Sequence, residues 1–295
     1  MPIFFNAEAH LWIAYGLFVN GSLILILSAS FSTGIRRVLD SPEIFCLLAF
    51  FLSVLVNASV LFLLASVDAN LSQLVVVCFG LTASLIAVTA ILVRGGSSLF
   101  WPRPTLDRLS VGLFGVYGLL FLVLFLNGAL IEQVSDAWWH LSMANTLAQQ
   151  PSVTDLSTHL TGETARHYPY LWHANIALLQ RLSGEDIAIV FNALTPWIGV
   201  LKVMAFYLLA WRLTGSQVVG VLSACLFIFM PGLGASYMRV SAWPSHVAYT
   251  ALFLSLYFVF RIVDTRLVWR FEGGHFASKA VSFIAPLRAD ILFLS

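Results

Sequence analysis

The sequence predicts an all-α integral membrane protein of about seven transmembrane helices, with outer juxtamembrane amphipathic helices between the fourth and the fifth. Three observations predict it. Only 10% of the 295 residues are charged and 60% are hydrophobic, whereas a soluble domain carries about 25% charged residues. The apolar residues fall in long runs nearly free of charge, giving a mean hydropathy of +0.91. The Lys and Arg residues concentrate in alternate connectors. A net charge of +1 says nothing about acidic partners, and with no basic cluster no nucleic-acid partner is expected.

Seven stretches approach the ~20 residues that cross a bilayer core: roughly 10–30, 43–66, 71–93, 109–131, 188–210, 216–231 and 246–263. Each must be helical, because lipid offers the backbone no hydrogen-bond partner. The first lacks a basic flank and a cleavage site, so it is expected to stay in the membrane. Cys46, Cys78 and Cys225 lie inside apolar runs and read as small core residues, neither disulfides nor metal ligands.

Strict alternation puts Arg36, Arg37, Arg94, Arg103, Arg108, Arg212, Arg261, Arg266, Arg270, Lys279 and Arg288 on one side, which the positive-inside rule makes cytoplasmic. The opposite side receives Glu8, Asp68, the 132–187 connector and the 232–245 loop, with Arg166, Arg181 and Arg239 as its positive charges. The chain thus divides into N-terminal spans (1–108), a membrane core (109–263) with the outer connector 132–187, and a cytoplasmic tail (264–295).

The connector holds four of the seven histidines, His140, His159, His167 and His173, and the acidic residues Glu132, Asp136, Asp155 and Glu163. Ser135 to Gln149 and Tyr170 to Leu182 read as two helices on the outer membrane surface. The second covers only ~20 Å at 1.5 Å per residue, too short to cross, and as a span it would move Arg212 outside.

Within the connector, Asp136 and His140 are four apart, so a helix places them on one face. Asp136 could act as a general base, hold a divalent cation, or cap a helix. Trp138 and Trp139 suit either a sugar face or the interfacial aromatic belt. Apart from Asp136 and His140, no pair has the tight spacing of metal ligands, which disfavours zinc. In His167-Tyr168-Pro169-Tyr170 the proline starts a helix, and the corner can present His167 and Tyr168 to the cavity of Asp136. Arg239 stands on the side poor in positive charge, where it suits a phosphate or ordinary lipid headgroups. Lys202, inside the fifth span, is expected to snorkel toward the inner end.

Three motifs taken in order carry a resemblance: Asp136-Ala137-Trp138-Trp139-His140-Leu141-Ser142-Met143-Ala144-Asn145, then Tyr168-Pro169-Tyr170-Leu171-Trp172-His173-Ala174 through Gly184, then Tyr207 to Gly215 with Met230-Pro231 and Ala242-Trp243-Pro244-Ser245. They resemble the first-loop acidic motif, the Tyr-Pro helix and the span-end patterns of GT-C fold membrane glycosyltransferases, the superfamily of protein mannosyltransferases and aminoarabinose transferases. The similarity covers about residues 110–263. It implies transfer of a sugar from a polyprenyl-phosphate donor to a lipid, glycan or protein acceptor, at the outer face of a multi-pass protein of the cell (inner) membrane. Asp136 would be the catalytic base or metal-associated group, His140, His167, Tyr168 and Arg239 would bind substrate, and the partners would be the lipid-linked sugar and membrane lipid. The resemblance departs where Ala137 replaces a second acidic residue, and in the four spans that precede the motif. The alternatives are a transporter or lipid-binding membrane protein without chemistry, for which Asn57, Asn127 and Lys202 are the polar span residues, and an inactive fragment of a transferase.

Overall fold

The computed structural model describes residues 7–66, 71–100, 108–126, 135–149, 171–229 and 244–271. Among these residues every long element is helical, and five helices are long and apolar enough to cross a membrane: Ala7–Phe31, Pro42–Leu61, Val75–Arg94, Ile187–Thr214 and Pro244–Val263. Two shorter apolar helices, Leu109–Phe125 and Gln217–Phe229, occupy the remaining stretches expected to span. The chain is a multi-pass membrane protein by this architecture.

The first crossing joins α1 (Ala7–Ala14) to α2 (Asn20–Phe31) through a π-helical turn, Tyr15–Val19. A π turn loosens the regular backbone ladder and leaves groups for outside partners. Here the Gly16 carbonyl accepts from Asn57 Nδ2 at 2.9 Å, and the Gly21 N–H donates to Ser53 Oγ at 2.8 Å. Glycine is required at Gly21, where the obstacle is backbone, while at Gly16 the obstacle is the movable tip of a leucine. A Cβ on Gly16 would stand 2.7 Å from Leu179 Cδ2, and one on Gly21 would collide with the Ala49 carbonyl oxygen.

Short α3 (Thr33–Val38) is capped by Ser32, whose side chain accepts from the Ile35 N–H. Arg36 turns back to the Ala29 and Ser30 carbonyls, closing the exposed end of α2. Then come α4 (Pro42–Ser66), opened by proline in its first turn, α5 (Leu71–Arg94) and α6 (Arg108–Leu126). Helix α7 (Ser135–Gln149) and α8 (Leu171–Ser183) follow. Gly184, at φ 69°, ends α8, and Asp186 caps α9 (Ile187–Thr214) by accepting from the Ala188 N–H at 2.8 Å. The last helices are α10 (Gln217–Phe229) and α11 (Pro244–Phe271).

Helix α9 is the axis of the molecule. It is buried over most of its length and touches α1, α4, α6, α7, α8, α10 and α11. Helix α5 is the most lipid-exposed of the long helices, with Val76, Ile86, Ile91 and Val93 facing outward.

Part of the connector is packed within the protein. Helix α8 forms, and it is covered by its neighbours. Trp172 to Leu179 are eight consecutive buried residues, more than two turns, so every face of that stretch is covered. The physical reason is that its polar residues find partners inside the bundle. Asn175 Oδ1 accepts from Asn57 Nδ2 at 3.0 Å, and His173 meets His140 on α7. With Asn175 Oδ1 and His173 Nε2 so engaged, the remaining Trp, Ile, Ala and Leu side chains favour burial.

Arg37, Arg212 and Arg261 meet at one place. Arg261 of α11 forms an ion pair with Asp40 at 2.9 Å and donates to the Arg37 carbonyl at 2.7 Å. Arg212 reaches the Arg261 carbonyl, and the Phe100 N–H donates to Ser30 Oγ at 2.9 Å, bringing the segment after Arg94 to the end of α2.

Candidate functional site

Helix α7 carries the acidic motif. Asp136 is its second residue, inside the first turn instead of capping it from outside; a carboxylate there still opposes the positive end of the helix. The backbone of Asp136 is placed, while its side chain and that of Trp138 fall outside the described part. His167, Tyr168 and Arg239 also lie outside the described residues, as do His159 and Asn127.

His140, one turn beyond Asp136, is buried. Its Nδ1 lies 2.8 Å from Nε2 of His173, and the two rings stack at 5.0 Å between centroids with 20° between planes. A contact of this length between ring nitrogens holds one proton, donated by one ring and accepted by the other. Trp139 stands edge-on to both, 5.2 Å from His140 and 6.3 Å from His173, and is 38% exposed. One indole edge therefore covers the pair while the rest of the ring remains open to a ligand.

His173 is 0% exposed. Burial first, and then His140 beside it, push its pKa down from 6.5 to about 3. His173 is therefore neutral at physiological pH and holds its neighbour through a hydrogen bond. Sequence reasoning placed His140 in the site but gave His173 no role, because the two are 33 residues apart and no local spacing joins them. Among the described residues, no third His, Cys, Asp or Glu completes a group able to hold a metal.

A second buried pair lies deeper. Lys202 Nζ is 3.0 Å from His246 Nδ1, and both residues are buried, Lys202 at 0% exposure. This overturns the expected snorkelling. Lys202 sits ~22 Å along α9 from Ile187, and its amine turns sideways to α11 and over the Phe227 ring, 5.8 Å from the centroid. The sideways contact replaces the ~2.5–3.5 kcal/mol cost of an exposed lysine in mid-membrane by a hydrogen bond and a ring face. Asn57, the other polar span residue described, is engaged by the Gly16 carbonyl, Asn175 and the Cys78 thiol, which makes it a structural tie.

Comparison with known proteins returns no match to any family model, to any curated protein or to any solved structure.

Proposed function

We propose that the chain is a membrane glycosyltransferase that moves a sugar from a polyprenyl-phosphate donor to a hydroxyl of a lipid, glycan or protein acceptor at the outer face of the cell membrane. The observation that carries the reading is the first half of α7. Asp136 precedes by one turn a histidine held in a fixed tautomeric partnership, under a half-open tryptophan. In the step, the acceptor oxygen attacks the anomeric carbon as Asp136 takes the hydroxyl proton. The bond from that carbon to the phosphate oxygen breaks, and the polyprenyl phosphate leaves with the electron pair. If a divalent cation is bound, Asp136 would be the residue to hold it, and the cation would supply charge neutralisation. His140, His167 and Tyr168 bind the sugar or acceptor, and Arg239 grips the phosphate.

In this reading the two shorter apolar helices, α6 and α10, complete seven crossings. The end rich in arginine is cytoplasmic by the positive-inside rule, so α7 and α8 open to the outside. A second reading, a transporter or lipid-binding protein without chemistry, is favoured by one observation: the buried Lys202–His246 pair between two candidate spans, the kind of residue that marks a path through a span.

The discriminating variant is Asp136→Asn, because asparagine substitutes well for aspartate near a helix start but cannot accept the proton. In proteoliposomes supplied with polyprenyl-phosphate-linked mannose or glucose, transfer is expected to fall about a hundredfold or more. Turnover equal to the wild type removes Asp136 from the mechanism.

A further inference from the structure

Helix α8 is gripped on two faces. Residues two apart on a helix point about 200° from each other, so His173 and Asn175 leave α8 on nearly opposite sides. His173 meets His140 of α7. Asn175 meets α4, where its Oδ1 accepts from Asn57 Nδ2 at 3.0 Å. Leu179, one turn beyond Asn175, shares its face and packs close to Gly16 of the π turn. The face of α8 that carries Asn175 is therefore set against α4 and the π turn.

Asn57 is the node of that contact. Its Nδ2 also donates to the Gly16 carbonyl at 2.9 Å, and its Oδ1 lies 3.9 Å from Cys78 Sγ on α5. One amide thus joins the π turn, α5 and α8 to α4. Thr82 Oγ1 lies 2.7 Å from Asn20 Oδ1 and 2.9 Å from both the Cys78 carbonyl oxygen and the Tyr15 hydroxyl, so residues at and just after the π turn are tied to α5 as well. Asn57, Asn175 and Cys78 are all buried. Apolar burial has no direction, so by itself it leaves the rotation of α8 loosely set. A hydrogen bond has a direction, and a satisfied buried network specifies one arrangement. That arrangement matters at the other face, where the 2.8 Å contact between His140 Nδ1 and His173 Nε2 is lost after a displacement of about 1 Å.

We propose that Asn57 is a positioning residue of the candidate site: through Asn175 it fixes the rotation and height of α8, and so holds His173 against His140 beside Trp139. Asn57 acts on the pair through the helix. The inference goes beyond the transferase reading, since it concerns how the pair is built and holds for any chemistry performed there.

The test uses the full chain in nanodiscs, with its histidine rings labelled with nitrogen-15, and reads by NMR the N–H proton that the pair shares. Among the seven histidines this proton is the signal that both His140→Leu and His173→Leu erase. Asn57→Leu removes the donor to Asn175 and is expected to erase or displace the signal. Ser53→Ala cuts a different buried tie of the same helix, the one to the Gly21 N–H of α2, and is expected to leave the signal unmoved. An unmoved signal in Asn57→Leu overturns the proposal, and so does an equal displacement in both variants, which would mean only that α4 had been loosened. Asn57→Leu combined with Asn175→Leu separates position from stability. Replacing both partners by apolar groups is nearly neutral for a fold, while the directional bond stays absent, so the signal is still expected to be lost. A folded double variant that keeps the wild-type signal overturns the proposal, and it decides the matter if Asn57→Leu alone does not fold. The measurement needs no substrate. Unchanged turnover in Asp136→Asn beside a lost signal in Asn57→Leu removes the transferase step and keeps Asn57; lowered turnover beside an unmoved signal does the opposite.

Discussion

At the scale of single residues, the described site is organised by polar groups that reach across long sequence distances. His140 and His173 are 33 positions apart, Lys202 and His246 are 44, and Asn57 and Asn175 are 118. Each pair buries groups that would be costly alone. His173 makes the cost measurable. Its folded pKa of about 3 lies below the 6.5 of an unhindered imidazole. Between those values the unfolded chain therefore binds the proton that the folded chain refuses. The stability owed to neutral His173 is fully present above pH 6.5 and is lost as the pH falls toward 3. Thermal unfolding in detergent across that window is expected to show a steeper acid decline for the wild type than for His173→Leu, which has no proton to take up. Identical slopes would show that His173 is not the buried neutral group described. The sequence could name His140 because Asp136 stood one turn away. It could not name His173, whose partner is set by the packing of α8 on α7.

At the scale of elements, the long apolar runs give away the helices because the bilayer fixes their length, and helices stand at all seven expected stretches. The π turn at Tyr15–Val19 was not legible, since nothing in Tyr-Gly-Leu-Phe-Val distinguishes it from a regular turn. Its cause lies in contacts made elsewhere, the close approaches of α4 and α8 at Gly21 and Gly16. Close approach through small residues is what holds membrane helices together when apolar burial alone does not distinguish helix from lipid. The glycines therefore differ in what they tolerate. Gly21→Val drives a branched side chain into the backbone of α4 and is expected to destabilise by about 1–3 kcal/mol or more. Gly80 on α5 has no atom near its added Cβ, so Gly80→Ala is expected to be neutral or stabilising by up to about 1 kcal/mol. Thermal unfolding of the two variants side by side measures the contrast, and equal effects would contradict the tight α2–α4 contact. Helix α8 is the element whose packing the pattern left unread: its length and the charge alternation made it a surface helix, and its inward contacts come from groups on α4 and α7.

At the scale of the whole molecule, Arg36, Arg212 and the Arg261–Asp40 ion pair fasten helix ends together, and these three arginines are among those that sequence alternation assigned to one side. Helices α7 and α8 pack on each other and on α9, so these two parts of the polar connector are built into the helical bundle. That arrangement changes what a topology experiment must show. In a background where Cys46, Cys78 and Cys225 are replaced by alanine, single cysteines are placed at Thr154 in the connector and at Ser216 between α9 and α10. An impermeant maleimide applied to intact cells is expected to label the Thr154 position and not Ser216, and to label Ser216 once the membrane is inverted. A third cysteine at Ala177 tests the burial of α8, because a residue at 0% exposure stays unlabelled from either side. Labelling of Ala177→Cys from outside would uncover α8 and break the His140–His173 contact on which the transferase reading depends. Labelling of Thr154→Cys only from the cytosol would invert the molecule and leave a lipid-linked sugar on the wrong side of the bilayer from Asp136.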